Sequence, residues 1–148
     1  MALAIKNSQS HLAIRRETVK RIASKILSKY RVHRYEINID FLDNAAIRKL
    51  NRKYLNHNCP TDVLAFPYPE SDSESKDSIS ADIAISAEMA ISNSKIFKTG
   101  AKQELCLYIV HGLLHLIGFD DTSKAKRIKM RKEEKICIEN LKTLINKL

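Results

Sequence analysis

The sequence predicts an α+β fold in one domain over residues 1–148, with a small mixed sheet of about four strands packed against about five helices. Two periodicities carry this prediction. Alternation of apolar and polar residues indicates strands, and apolar residues three and four positions apart indicate helices. These segments follow one another in the order β-α-β-α-β-β-α-α-α, with no internal repeat. The length of 148 residues allows a core of ordinary size.

The predicted strands are short. Ile37, Ile39 and Phe41 alternate with polar residues in 36–42, which is typical of a half-buried strand. The other predicted strands are 2–6, 63–66 and 82–85. Residues 69–80 are rich in serine and acidic residues, and we expect them to form a loop.

The first two predicted helices carry one apolar face each. Residues 17–30 have apolar side chains at helical spacing. The second helix follows the 36–42 strand, and either Asp43 or Asn44 is expected to cap it. Pro60 ends the second segment, because proline cannot continue a helix.

Three further helices are predicted in the second half of the chain. Ser86 is expected to cap a helix over 87–97. A long apolar helix over 101–117 follows, and Gly118 is expected to end it. The last helix is predicted over 123–147, with its apolar residues on one face.

The charge of the chain is strongly positive. It has 26 Lys and Arg residues against 17 Asp and Glu, which gives a net charge of +9. Residues 124–132 contain six basic residues and no acid, and residues 15–34 contain eight basic residues against Glu17 alone. Such clusters attract polyanions, so the charge is compatible with a nucleic-acid partner. Two solvated helix faces would give the same composition.

Several classes of protein are disfavoured. No apolar stretch is long enough to span a bilayer, and the first residues lack the pattern of a secretory signal. Cys59, Cys106 and Cys137 are widely spaced without a CxxC pair, so neither a disulfide framework nor a cysteine-based zinc site is expected. These features favour a cytoplasmic protein.

The segment HGLLHLIGFDD, residues 111–121, contains the main candidate site. His111 and His115 are four positions apart, so they project from one face of the predicted helix, one turn apart. Because the helix is otherwise apolar, we expect burial to keep both imidazoles neutral. Neutral imidazole is the form that binds transition metals. A pair of hydrogen-bonded core histidines is the alternative.

A third ligand is expected just after the helix. Gly118 lets the chain turn back, and Asp121 follows three residues later. Metzincin proteases use a similar spacing, HExxHxxGxxH, to bring in their third ligand. Asp120 is the alternative ligand, or it orients a histidine by a hydrogen bond. Gly112 stands where those proteases have their general base, which disfavours a protease.

These residues resemble the HGxLHLxGYDH signature of the YbeY family of bacterial rRNA-maturation endoribonucleases. The matching residues are His111, Gly112, Leu114, His115, Leu116, Gly118 and Asp120. Two further motifs of the family are similar to parts of this chain, in the same order. They are matched in part by residues 50–67 (LNRKYLNHNCPTDVLAFP) and by residues 82–86 (DIAIS).

The resemblance implies a zinc-dependent endoribonuclease with one Zn²⁺ per chain, bound by His111, His115 and Asp121, which would also be the catalytic residues. It implies action on single-stranded RNA in 16S rRNA 3′-end maturation and ribosome quality control. The implied partners are rRNA and the small ribosomal subunit, with no membrane. Asp121 replaces the final histidine of the family signature. A carboxylate should acidify a bound water less than a third imidazole would.

The chain also departs from the family where the family has an arginine, because Leu55 occupies that position. Arg52, Lys53 and His57 are the nearest candidates for substrate contacts. Since leucine cannot stabilise phosphate charge, a second function stays open: a ribosome-assembly RNA-binding factor with a structural metal and little or no nuclease activity. Two histidines and one carboxylate would also suit a non-haem iron enzyme, and a metzincin-like protease is a further alternative.

Overall fold

The structure is a computed structural model that describes residues 2–69 and 78–148. These residues form four strands and six helices. In chain order they are β1 (Ala2–Asn7), α1 (Arg16–Lys29), β2 (Arg34–Leu42), α2 (Asn44–Leu55), β3 (Val63–Pro67), β4 (Ser78–Ser86), α3 (Ala87–Phe97), α4 (Ala101–Ile117), α5 (Lys124–Asn140) and α6 (Lys142–Ile145). The predicted α+β class is confirmed. Within the described residues, no helix has the length and apolar character needed to cross a bilayer.

The four strands form one mixed sheet in the order β1-β2-β4-β3. The β1–β2 and β2–β4 pairs are parallel, whereas β3 runs antiparallel to β4. This order leaves β3 at one edge of the sheet, where β4 is its only partner among the described strands. The edge position matters because the histidine helix α4 packs beside it.

The main core lies between one face of the sheet and helices α1 and α4. Its largest fully buried side chains include Ile22, Leu27, Ile37, Ile39, Phe41, Ile83, Ile85, Leu105, Ile109, Leu113 and Leu114. A smaller cluster under α2 contains Leu42, Ile47, Leu64 and Ala84. Helix α4 also contacts α3, α5 and α6, so it is the central helix of the fold.

The predicted helix ends are confirmed at three positions. Asp43, rather than Asn44, caps α2, because its carboxylate accepts a hydrogen bond from the backbone N–H of Ala46 at 2.8 Å. Ser86 caps α3 by accepting from the N–H of Met89 at 3.0 Å. Gly118 ends α4 with a φ of 123°, which is strained for any residue with a side chain.

The prediction of one final helix over 123–147 is wrong in one respect. Helix α5 ends at Asn140, and α6 begins at Lys142 after a non-helical Leu141. The break folds the C-terminal turn onto α1, where the Thr18 hydroxyl donates to the carbonyl of Lys147 at 2.9 Å. A continuous helix would carry the last apolar residues past the core, so burying them requires the turn.

Strand β4 begins earlier than predicted, at Ser78 instead of Asp82. Residues 78–80, which were expected to belong to a loop, pair with the start of β2 in the register Arg34↔Ser78 and Glu36↔Ser80. The backbone hydrogen bonds of this pairing outweigh the weak strand preference of serine. The rest of that predicted loop, residues 70–77, lies outside the described residues.

The three cysteines differ in accessibility, which predicts their reactivity. Cys59 is exposed, whereas Cys106 and Cys137 are buried, and burial raises the pKa of the Cys106 thiol to about 12. We expect iodoacetamide at about pH 8 to alkylate Cys59 in the folded protein, and the other two after unfolding in urea. Peptide mass spectrometry gives the site of labelling. Fast labelling of Cys106 in folded Cys59→Ser protein would contradict the fold.

Candidate metal centre

The two histidines of α4 face each other across one helical turn. Their Nε2 atoms are 3.0 Å apart, and the rings meet nearly edge to face. The side chains are 27% exposed for His111 and 30% for His115, so the rings are less buried than the apolar helix suggested. The apolar residues of α4 face the core, while the histidine side opens towards α5 and the edge strand β3.

The turn after α4 brings a carboxylate to the histidine pair. The Oδ2 atom of Asp121 is 3.7 Å from Nε2 of His115. One ligand atom from each of His111, His115 and Asp121 can be chosen so that all three lie within 4.8 Å of one another. Two imidazole nitrogens and one carboxylate oxygen are donors that suit a transition-metal ion. This group could therefore bind a metal.

The neighbouring Asp120 has a different role in the turn. Its carboxylate accepts hydrogen bonds from the backbone N–H groups of Asp121 and Thr122 and from the Thr122 hydroxyl. The Thr122 hydrogen bond is the main cause that lowers the pKa of Asp120. Lys126 lies 3.5 Å away. Asp120 thus stabilises the turn, and Asp121 is the aspartate next to the histidines.

Glu134 of α5 is part of the site, although no sequence motif predicted it. Its Oε1 atom is 2.6 Å from Nδ1 of His111, and its side chain is only 15% exposed. A carboxylate accepts hydrogen bonds, so it favours the tautomer of His111 with the proton on Nδ1. The lone pair of Nε2 is then free to bind a metal, as in the carboxylate–histidine pairs of known metal sites.

The carboxylates give the site a negative potential. Burial of the ring lowers the pKa of His111, but the hydrogen bond and charge of Glu134, together with the charges of Asp62 and Asp121, outweigh burial. The net effect is a raised pKa of His111. Since the same potential that favours an imidazolium also favours a metal cation, the electrostatics suit cation binding.

Two cavities meet at His111 and Asp121. The smaller, about 230 Å³, lies between α4 and α5, and its lining includes Arg127, Arg131 and Glu134. The larger, about 520 Å³, follows β3 and is lined by Leu55, Val63, Ala65 and Pro67 among others. Both cavities include Asp62, His111 and Asp121 in their linings. A ligand that spans the two cavities would therefore pass over the candidate metal centre.

Gly112 sets the position of the histidines relative to the sheet. A Cβ atom at this position would lie 3.1 Å from Cγ2 of Ile83 and 3.2 Å from Cγ2 of Val63. Side chains of β3 and β4 thus approach the helix closely at this glycine. The missing side chain lets α4 pack tightly on the sheet, with the histidines beside the edge strand.

Arg52, Lys53 and His57, the predicted substrate contacts, line neither of these two cavities. The Lys53 ammonium lies 5.2 Å from the ring centroid of Tyr54. The backbone N–H of His57 donates to the carbonyl of Asn51 at the end of α2. Leu55, in contrast, does line the larger cavity. The side chain at position 55 is therefore at the site and carries no charge.

Comparison with known proteins identifies related sequences. A family model described as "Endoribonuclease YbeY" matches residues 4–142. A protein named Endoribonuclease YbeY from Finegoldia magna is 32% identical, and the match covers 95% of this chain and 94% of the relative. Proteins of the same name from Caldicellulosiruptor saccharolyticus and Elusimicrobium minutum are 32% and 34% identical, over 95% and 74% of this chain and 98% and 77% of their own lengths.

A solved structure has a similar fold. It is the solution structure of TM1509 from Thermotoga maritima, which superposes with a TM-score of 0.65 at 22% sequence identity. The match covers 93% of this chain and 87% of that protein. At this identity the likeness supports the fold alone.

Asp121 and Asp120 provide a matched test of the ligand set. We expect Asp121→Asn to lower the affinity for added Zn²⁺ by at least about tenfold, because a neutral amide is a poorer ligand than a carboxylate. Asp120→Asn removes the same charge one residue away, and its amide oxygen can still accept the two backbone hydrogen bonds that Oδ1 of Asp120 accepts, so we expect a change of less than about threefold. Isothermal titration calorimetry measures both affinities. Equal affinities for Asp121→Asn and wild type would show that Asp121 is not a ligand.

Glu134 is expected to act on the metal through His111. Removing the acceptor in Glu134→Ala should lower Zn²⁺ affinity by about 10- to 100-fold, because Nδ1 of His111 loses the partner that fixes its tautomer. The exposed Glu139 lies on the same helix, so Glu139→Ala is the matched control and should bind Zn²⁺ like wild type. Unchanged affinity in Glu134→Ala would mean that the hydrogen bond does not prepare His111 for a metal.

Proposed function

Because this chain belongs to the YbeY family of endoribonucleases, we propose that it is a metal-dependent endoribonuclease that hydrolyses phosphodiester bonds of single-stranded RNA. The observation that carries this proposal is the grouping of His111, His115 and Asp121 beside two cavities, both of which have His111 and Asp121 in their linings. A structural site is enclosed by four protein ligands, whereas a catalytic site keeps one position for water or substrate. Three ligand side chains beside two cavities fit the catalytic arrangement.

We assign the metal as Zn²⁺, one per chain, held by Nε2 of both histidines and by the Asp121 carboxylate. The donor set of two nitrogens and one oxygen fits zinc, and the Glu134 contact leaves Nε2 of His111 available. A zinc ion bound there would supply Lewis-acid polarisation of a phosphoryl oxygen and a more acidic water. The three side chains orient the reacting groups, and Glu134 holds the Nδ1 proton of His111.

The larger cavity is the proposed path of the RNA strand. Its lining next to β3 is mostly apolar, which suits the ribose and the unstacked base of a single strand. A duplex keeps its bases stacked inside the helix and cannot present them to such a surface. The high net charge of +9 favours capture of an anionic strand.

The proposed cellular role is 16S rRNA 3′-end maturation and ribosome quality control in the cytoplasm, with the small ribosomal subunit as partner. Support comes from the three sequence motifs and from the family match over residues 4–142. We further propose that residues 1–148 act as one domain, since the main core includes residues from Val19 to Leu148. The family match disfavours the oxygen-using iron enzyme and the metzincin-like protease.

Leu55 favours a second candidate function, that of an RNA-binding factor in ribosome assembly. This residue brings no charge to the larger cavity, and a phosphoryl transition state needs cationic stabilisation. A protein with weak stabilisation there could bind RNA during ribosome assembly and use its metal as a structural element. The two functions differ in one measurable respect, which is whether the RNA is cut.

Cleavage of RNA decides between these functions. We expect zinc-loaded wild-type protein to cut a labelled single-stranded RNA, and His115→Ala to reduce the rate by about 10³-fold or more, because a metal ligand is lost. The exposed His33 offers a matched control, and His33→Ala should keep the wild-type rate. Product lengths on a denaturing gel give the rates. RNA binding without cleavage by the zinc-loaded wild type would support the assembly factor.

A further inference from the structure

The basic stretch in α5 reaches the candidate metal centre with two of its residues. Arg127, Arg131 and Glu134 are spaced by four and three positions, so they share one face of the helix. The contact between Glu134 and His111 holds that face against the site. Both arginines accordingly line the same cavity as His111 and Asp121.

The first guanidinium is placed directly next to a proposed ligand. One terminal nitrogen of Arg127, Nη1, donates to the backbone carbonyl of Asp121 at 3.3 Å. This bond orients the side chain but uses only one of the five N–H groups that a guanidinium carries. The remaining donors are available to a ligand in the cavity.

Neither arginine is neutralised by a carboxylate. Within residues 2–69 and 78–148, no carboxylate oxygen lies within 4.0 Å of a nitrogen of Arg127 or Arg131. Lys126 on the same helix differs, because it lies 3.5 Å from Asp120. The two arginines therefore keep their full charge towards the cavity.

The charge balance of the smaller cavity depends on these residues. Its lining contains the carboxylates of Asp62, Asp121 and Glu134. Three negative charges exceed the two positive charges of a divalent metal ion, so such a site would repel an anion. The two guanidinium groups reverse the sign and leave one positive charge in excess. A phosphodiester carries one negative charge, which this excess would attract.

The larger cavity offers no comparable group. Among the described residues that line it, there is no lysine or arginine, and Leu55 occupies its rim. The planar guanidinium can also bind two phosphate oxygens through parallel N–H bonds, whereas an ammonium acts as a point charge. Of the two cavities, the smaller one, next to α5, is therefore the one that offers cationic side chains.

We infer that Arg127 and Arg131 form a phosphate-binding site beside the metal centre, which holds a phosphodiester of the RNA over His111, His115 and Asp121. This inference rests on the proposed function, because the ligand is an RNA strand. It assigns to α5 the positive charge that position 55 lacks. The strand would then continue from this phosphate into the larger cavity along β3.

Paired variants of α5 test the inference. Arg127→Gln/Arg131→Gln removes the two charges that face the cavity. Lys129→Gln/Lys132→Gln removes two charges from exposed positions of the same helix that do not line it. All four side chains are exposed, so neither double variant should disturb the core.

Two quantities are measured for each variant. Zinc content is measured by mass spectrometry, and the affinity for a labelled single-stranded RNA of about ten nucleotides is measured by fluorescence anisotropy.

We expect the arginine variant to bind RNA at least about tenfold more weakly, and the lysine variant to lose less than about threefold. The slope of log K against log salt should become shallower by about 0.7 for each lost phosphate contact. Zinc content should stay the same in both variants. If the wild type cuts RNA, the arginine variant should cut it more slowly than the lysine variant does.

Other outcomes would overturn the inference. Equal losses in the two variants would mean that the charge of α5 acts only at long range. Loss of zinc in the arginine variant would mean that these residues hold the centre together, and failure of the wild type to bind RNA would remove the ligand itself. If the wild type binds RNA without cutting it, the proposed nuclease function is wrong, and the binding comparison alone decides about the arginines.

Discussion

The close packing of α4 on the sheet is the constraint on which the rest of the site depends. Helix α4 contacts β3 and β4 on one side and α1, α3 and α5 on the others. Gly112 makes this contact possible, because a Cβ atom there would press on Ile83 and Val63. The helix can therefore lie deep in the core and still present one side at the edge of the sheet, where β3 has no further neighbour among the described strands. The histidines occupy that side.

The central helix α4 provides two of the three proposed ligands, and the turn that follows it provides the third. Gly118 ends α4 in a backbone conformation that reverses the chain, and the hydrogen bonds of Asp120 hold the following turn. Asp121 is thereby kept near His115. A ligand set on a helix and a tight turn has little freedom to rearrange, so little conformational entropy would be lost when a cation binds.

Helix α5 packs against the core and also places charged side chains at the site. Met130 and Cys137 anchor the helix in the core, and Glu134 contacts His111 from the same side. The arginines that precede Glu134 on this face are positioned by the same contact. One helix thus carries a carboxylate that favours a cation and guanidinium groups that favour an anion. All three side chains line the same cavity beside His111.

The sequence by itself determined the features that depend on neighbouring residues. Local periodicity indicated the helices and strands, and the i, i+4 spacing placed His111 and His115 on one face. Tertiary structure decided what depends on distant residues. Pairing with β2 extended β4 to Ser78, and burial against α1 broke the last helix at Leu141. Glu134 is 23 positions from His111, and no short spacing links them. Arg127 and Arg131 line the cavity, whereas the lysines of the same helix do not, and this difference depends on how α5 packs against α4.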